Sequence, residues 1–158
     1  MRGLRRVVIL LPVAFMQARA SQGAEHLALA ARQFGGGLDM KFDWSVQLSG
    51  SALTVMRPGR KARIKQLSVA QIHLLTQSLG RSGFSKLRPR YGCDSCSDNP
   101  VCSISASVEE WAREVSVYQY VSKAPGQETE EGAELERFSQ VWRVLKQVAG
   151  ISSRDLCP

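Results

Sequence analysis

The chain has 158 residues and a formal net charge of +7, with 44% apolar and 22% charged residues. This length suits one domain and excludes a TIM barrel or a complete dinucleotide-binding fold. The composition is that of a folded globular protein, and an aromatic content of 7% argues against a module that stacks nucleic-acid bases.

The first 20 residues have the layout of a secretory signal peptide. A basic start over residues 1–6 precedes an apolar run over residues 7–16, and Ala18 and Ala20 are the small residues expected before a cleavage site. The apolar run is too short to cross a bilayer, which takes about 20 residues. We therefore predict a periplasmic or secreted protein with no membrane span after cleavage. The alternative is an uncleaved anchor or a buried N-terminal element.

Cleavage of this segment would lower the net charge of the chain. The segment carries four arginines and no acid, so the mature chain would have 138 residues and a net charge of +3. The dense basic run between Arg57 and Lys65 is typical of a solvated strand and its turn. Export and this small excess of positive charge argue against nucleic acid as a partner.

The segment after the signal peptide is ambiguous between a strand and a helix. Leu27, Leu29 and Ala31 alternate as in a strand, but Leu27, Ala31 and Phe34 also fit a helical face. The glycines that follow predict a flexible break over residues 33–38.

Alternating apolar and polar residues then predict a meander of three strands over residues 39–49, 52–56 and 61–66. Glycine-containing turns separate them. In the third strand the pattern places Ile64 inward and its basic neighbours outward.

Two amphipathic helices are predicted. The first begins at Ser68, which forms a capping box with Gln71, and ends at Gly80. The second runs from about residue 131 to 149, with acids near its start and bases near its end.

Between the helices, residues 88–101 are expected to form a loop. Residues 102–108 and 114–121 form a hairpin connected by residues 109–112. The order of elements predicts an α+β fold for a single domain over residues 21–158, which ends in a tail over residues 150–158. We expect two layers, with one antiparallel sheet, a meander plus a hairpin, and both helices packed on one face.

Four cysteines lie in the mature part: Cys93, Cys96, Cys102 and Cys157. An even number in an oxidising compartment predicts disulfides, one within the loop and one to Cys157, with the partners left open. A redox pair at Cys93 and Cys96 is an alternative, although no helix follows to stabilise a thiolate. A zinc site is another, although it lacks a fourth ligand. We expect no metal and no cofactor.

No catalytic constellation is apparent, because His26 and His73 are isolated and no nucleophile motif is present. We therefore predict a protein without enzymatic activity whose partner is another protein, in an oligomeric state left open. The candidate partner-binding residues lie on the cysteine-rich loop and in the hairpin turn: Tyr91, Asp94, Asp98 and Trp111. Trp111 has a second interpretation, in which its ring folds back on the sheet edge.

The sequence also resembles a known group of small bacterial domains. The resemblance rests on the glycine break over residues 34–37, the alternating strand, the helix capped by Ser68, the segment over residues 82–84, the hairpin and the final helix. These features resemble small exported domains and emfourin-like inhibitors of thermolysin-like metalloproteases. The resemblance covers roughly residues 27–149, and the cysteine-rich loop departs from it. It implies a strand over residues 27–32 and, as the concrete function, inhibition of a secreted enzyme. The alternatives are a thiol-disulfide redox protein and a structural envelope protein.

Overall fold

The computed structural model describes residues 27–35, 43–92, 100–109, 111–118 and 130–152. The predicted signal peptide lies outside these residues, as do three of the four cysteines and both candidate aspartates. The described residues form these elements: β1 (Leu27–Phe34), β2 (Trp44–Ser49), β3 (Ala52–Met56), β4 (Arg63–Gln66), α1 (Val69–Arg81), β5 (Arg90–Tyr91), β6 (Val101–Val108), β7 (Trp111–Tyr118) and α2 (Glu130–Ala149). A short 3₁₀ turn at Phe84–Lys86 follows α1.

The strands form one mixed sheet in the order β4-β3-β2-β1-β6-β7-β5. The α+β class is therefore confirmed, but the prediction of a purely antiparallel sheet is wrong. β5 runs parallel to β7, with Arg90 opposite Ser116 and Tyr91 opposite Val117. Two residues are too few to display an alternating pattern, so the sequence alone assigned them to a loop.

β1 is the central strand, and its burial alternates strictly along its length. Leu27, Leu29 and Ala31 are buried, whereas Arg32 and Phe34 are exposed. The strand interpretation of this ambiguous segment is therefore correct. β1 pairs with β2 on one side and with β6 on the other, so it positions both halves of the sheet.

β2 and β3 confirm the inward residues that their alternation predicts. Trp44, Val46 and Leu48 of β2 are buried, as are Leu53 and Val55 of β3. The turn between the two strands contains Gly50, whose φ of 57° lies in the left-handed region that glycine tolerates.

β4 has the opposite phase to the predicted one. Ile64 is 66% exposed, whereas the side chains of Arg63 and Lys65 reach the end of α2. Arg63 Nη2 donates to the carbonyl of Ala149 at 2.5 Å, and Lys65 Nζ donates to the carbonyl of Val148 at 2.6 Å. The last carbonyls of a helix have no hydrogen-bond partner within it, and a cation near them also interacts favourably with the negative end of the helix dipole. This stabilisation decides the phase of the edge strand.

The capping box at the start of α1 is present. The Ser68 hydroxyl accepts from the backbone N–H of Gln71, and the Gln71 side chain accepts from the backbone N–H of Ser68. The predicted end at Gly80 is wrong, because α1 continues to Arg81. Gly83 takes the left-handed conformation instead, with φ of 62°, since its N–H closes the last turn on the carbonyl of Gly80.

Replacing Ser68 by alanine is expected to lower the free energy of unfolding by about 1 kcal/mol. The backbone N–H of Gln71 loses the Ser68 hydroxyl as its acceptor, and the reciprocal half of the capping box loses its support. Urea denaturation followed by circular dichroism measures this loss. Ser105→Ala is the matched control, since Ser105 is exposed on a strand and caps no helix. Equal stability of the two variants would contradict the capping role.

The second half of the sheet is a tighter hairpin than predicted. Val108 of β6 lies opposite Trp111 of β7, so Trp111 is the first strand residue and not part of a longer connection. Val115 and Val117 are fully buried, as their alternation predicts. α2 begins one residue before its predicted start and ends at the predicted residue, Ala149.

One core unites the buried strand residues with the buried residues of both helices. An aromatic group lies within it, where the Trp142 ring of α2 is 4.8 Å from the Trp44 ring and 5.7 Å from the Phe138 ring between centroids. The alternate residues of the same strands point away from this core.

Candidate functional site

The strand residues that point away from the core form a surface that we call the open face. Alanine and serine side chains are frequent at its centre. Its central strands contribute Ala28, Ala30, Arg32 and Phe34 from β1, Ser45 and Gln47 from β2, and Ser103, Ser105 and Ser107 from β6.

A groove with a volume of about 640 Å³ crosses the open face at the end where β1 stops. The side chains that define its chemistry are Arg32, Phe34, Met56, Arg57, Val101 and Tyr118. A smaller depression of about 230 Å³ shares Arg32 and Met56 with the groove and continues to Ser105 and Glu114.

Large apolar side chains lie exposed on both sides of the groove. Phe34 is 51% exposed and Met56 is 41% exposed. Phe34 lies opposite Val101, which in turn lies opposite Tyr118, so these side chains form a stripe across β1, β6 and β7. Exposed apolar groups that adjoin one another mark contact surfaces more often than scattered ones do.

Arg32 lies between these apolar groups. Its Nε donates to the Ser103 hydroxyl at 3.2 Å, and its strand neighbours are Ser45 and Ser103. Among the residues that the structure describes, no carboxylate forms a salt bridge with Arg32. The Arg32 guanidinium is therefore held on one side and keeps its terminal nitrogens for another acceptor.

The other charged groups of the groove are Arg57 and Asp43. The Asp43 carboxylate accepts a hydrogen bond from the backbone N–H of Gly35 at 2.6 Å. This bond ties the end of β1 to the start of β2 and occupies one carboxylate oxygen. The groove therefore offers two guanidinium groups against one carboxylate that already has a partner.

Tyr91, a predicted partner-binding residue, is instead part of the core. Only 2% of it is exposed. Its hydroxyl accepts from the backbone N–H of Arg88 at 2.8 Å and lies 3.1 Å from Oε2 of Glu134, to which it donates. Burial raises the pKa of Tyr91 to about 12, and the bond to Glu134 adds to this, against an opposing bond from Arg88. The ring belongs to the hydrophobic core, which leaves almost none of it for a partner.

Trp111, the second predicted contact, is half-buried. Its ring packs 6.3 Å from the Phe84 ring between centroids and lies against the core. This is the interpretation in which the indole folds back on the sheet, because the tight hairpin places it in a strand. Asp94 and Asp98 lie outside the described residues, so their roles stay predictions.

Cys102 is the one cysteine within the described ranges, and it is disulfide-bonded and fully buried. Its sulfur lies 3.8 Å from Oε1 of Gln33. Cys93, Cys96 and Cys157 lie outside the described residues, so the pairing and the redox alternative stay predictions. Within the part of the chain that the structure describes, no cluster of three His, Cys, Asp or Glu side chains is arranged to hold a metal ion.

Sequence reasoning missed the residues of the groove. A signal was present, because Arg32 and Phe34 share the exposed phase of β1 once Leu27, Leu29 and Ala31 are taken as its buried phase. An arginine and a phenylalanine on an exposed phase of small residues indicate a contact surface.

The comparisons with known proteins add no relative to this picture. No protein-family model matches the chain, and no curated protein matches its sequence. None of the helices within the described ranges is long and apolar enough to cross a membrane.

Proposed function

We propose that this protein is an exported, non-enzymatic binding module that contacts another protein through its open face, and that inhibition of a secreted enzyme is its concrete activity. The groove carries this proposal, because exposed Phe34 and Met56 line it together with Arg32, which forms no salt bridge with a carboxylate among the described residues. Apolar anchors beside an oriented arginine are the residue types that dominate binding energy in protein interfaces.

The finer architecture belongs to the same proposal. We infer two layers, with both helices on one face of the sheet, because the helices and the inward strand residues share one core. In this arrangement neither of the two helices within the described ranges covers the opposite face. A surface built on paired strands loses little conformational entropy on binding, which favours a rigid inhibitor.

The charges of β4 support a protein partner over nucleic acid. Arg63 and Lys65 belong to the densest basic run of the mature chain, yet both donate to the last carbonyls of α2. Phosphate contacts require lysines and arginines that are free to face the ligand. These two residues of the basic run therefore have a structural role in the fold.

The exported, processed protein is expected to inhibit a thermolysin-like metalloprotease in an assay of peptide hydrolysis. Phe34→Ser should raise the inhibition constant by about tenfold or more, because an exposed aromatic anchor is lost. Val69→Ser is the matched control, since Val69 is also exposed but lies on α1. Circular dichroism checks that both variants fold.

Two outcomes would overturn parts of this proposal. If the protease keeps full activity at a large excess of the protein, inhibition of this enzyme class is wrong. If Phe34→Ser inhibits as well as the wild type, the open face is not the contact surface. Cys93→Ser with Cys96→Ser then tests the cysteine-rich loop as the contact instead.

A further inference from the structure

Resting on the proposed function, we propose that the groove binds an extended acidic peptide segment of the partner. A carboxylate of this segment would pair with Arg32, and apolar side chains next to it would pack on Phe34 and Met56. The segment would run across the strands of the open face and not along them.

The charge of the groove favours an acidic occupant. Arg32 and Arg57 both line it, and Asp43 already accepts from the backbone of Gly35. Arginine pairs with a carboxylate through two parallel N–H donors, and the bond that Arg32 Nε makes to Ser103 leaves the terminal nitrogens for such a pairing. Glu114 lies in the smaller depression beyond Arg32, so the acid-binding part ends before it.

The register of the strands fixes the direction of the groove. Met56, Ser45 and Arg32 are neighbours across β3, β2 and β1, and Phe34, Val101 and Tyr118 are neighbours across β1, β6 and β7. The groove therefore spans five adjacent strands, or about 19 Å at the usual strand spacing. About six residues of extended chain cover that distance.

This length and the exposure of its walls favour a peptide over a small carboxylic acid. Pockets for small molecules enclose most of the ligand surface, whereas Phe34 and Met56 remain about half exposed beside the groove. Recognition here also differs from strand addition at a sheet edge, because β1 already has β2 and β6 as neighbours. Side chains of the peptide, and not its backbone, supply the contacts.

The test uses a fluorescein-labelled peptide of about six residues that alternates glutamate and leucine, with both ends blocked, and measures its anisotropy as the wild-type protein is added. Arg32→Gln should weaken binding about tenfold, the usual cost of one charge-assisted hydrogen-bond pair. Arg81→Gln is the matched control, because it removes the same charge from the exposed end of α1. Raising the salt to about 0.5 M should weaken the wild type more than Arg32→Gln.

Two further peptides define the chemistry. A peptide that alternates lysine and leucine should bind more weakly, and so should one that alternates glutamate and serine. Equal binding of the lysine peptide, or equal binding by Arg32→Gln, would overturn the acidic occupant. A dimer of the wild type that Arg32→Gln dissociates in analytical ultracentrifugation would also overturn it, since a second copy would then cover the face.

Two different results separate a wrong peptide chemistry from a wrong contact surface. If Phe34→Ser weakens inhibition while none of the three peptides binds, the open face contacts a partner of other chemistry. If Phe34→Ser has no effect on inhibition, the contact surface itself is wrong.

Discussion

Replacing Trp142 by alanine is expected to lower the free energy of unfolding by about 3–5 kcal/mol. The Trp142 side chain is 1% exposed, and its ring stacks on that of Phe138 of α2 and contacts that of Trp44 of β2 in a tilted arrangement. Truncation to alanine removes this apolar surface from the core and leaves a cavity that rigid neighbours cannot fill. A domain of this size has a total stability of only about 5–15 kcal/mol, so the variant should be close to unfolding.

Urea denaturation followed by far-ultraviolet circular dichroism measures this loss, because tryptophan fluorescence changes with the substitution itself. Leu74→Ala is the matched control, since Leu74 is an exposed apolar residue on α1. It should change stability by no more than about 0.5 kcal/mol. A loss below about 1 kcal/mol for Trp142→Ala would contradict the central packing role.

Trp142→Ala should also affect the groove, through Trp44. Trp44 contacts Trp142 on the inner side and is also among the residues that line the groove. Its indole Nε1 is buried and has no hydrogen-bond partner among the described residues, so packing contacts such as the one with Trp142 hold the ring in place. A cavity beside Trp44 should therefore weaken inhibition as well as stability.

Elements with a local signal were predictable from the sequence. Ser68 and Gln71 are three residues apart, so their capping box is visible without knowledge of the fold. The alternation of β2 and the helical spacing of α2 are equally local. These patterns place buried residues correctly because each side chain's direction follows from its own backbone geometry.

Features that depend on distant parts of the chain could not be predicted. β1 lies between β2 and β6. β2 follows it directly in the chain, but β6 comes from a distant part of the sequence. The phase of β4 depends on the carbonyls of Val148 and Ala149, which lie more than eighty residues further along the chain. A two-residue strand such as β5 has no pattern of its own, and it is held by pairing with β7.

The groove depends both on a local sequence pattern and on contacts between distant parts of the chain. That Arg32 and Phe34 share the exposed phase of β1 follows from its alternation. That Met56 and Tyr118 join them follows only from the register of five strands. The burial of Tyr91 could not be predicted for the same reason, because the sequence does not reveal that Glu134 lies beside its hydroxyl.

Tyr91→Phe is expected to change how stability depends on pH. Burial and the Glu134 carboxylate raise the pKa of Tyr91 to about 12 in the folded protein, against about 10 in an unfolded chain. Below pH 10 the protonated phenol makes its full contribution to the free energy of unfolding. Between pH 10 and 12 the unfolded chain releases its proton while the folded protein keeps it, so the free energy of unfolding falls by at most about 1.4 kcal/mol per pH unit.

Tyr91→Phe removes the titrating phenol and its two hydrogen bonds. Near neutral pH the variant should be less stable than the wild type by about 1–2 kcal/mol, because the part-buried backbone N–H of Arg88 and the Glu134 carboxylate lose their hydrogen bonds to the phenol. As the pH rises from about 10 towards 12, the difference should shrink, since only the wild type loses the phenol's contribution. Urea titrations at a series of pH values measure both effects.

The comparison with wild type cancels the titration of lysines and of the other tyrosines, because both proteins carry them. Glu134→Gln provides a second arm, since it keeps an acceptor for the Tyr91 hydroxyl and removes the charge that holds its proton. Its loss of stability should begin near pH 10, as in the wild type, and should end at a lower pH, because only the pKa of Tyr91 in the folded protein changes. Parallel curves for the wild type and Tyr91→Phe from about pH 8 to 12 would contradict the buried phenol. The ion pair of Arg88 and Glu134 would then be the contact that holds this segment to α2 among the described residues.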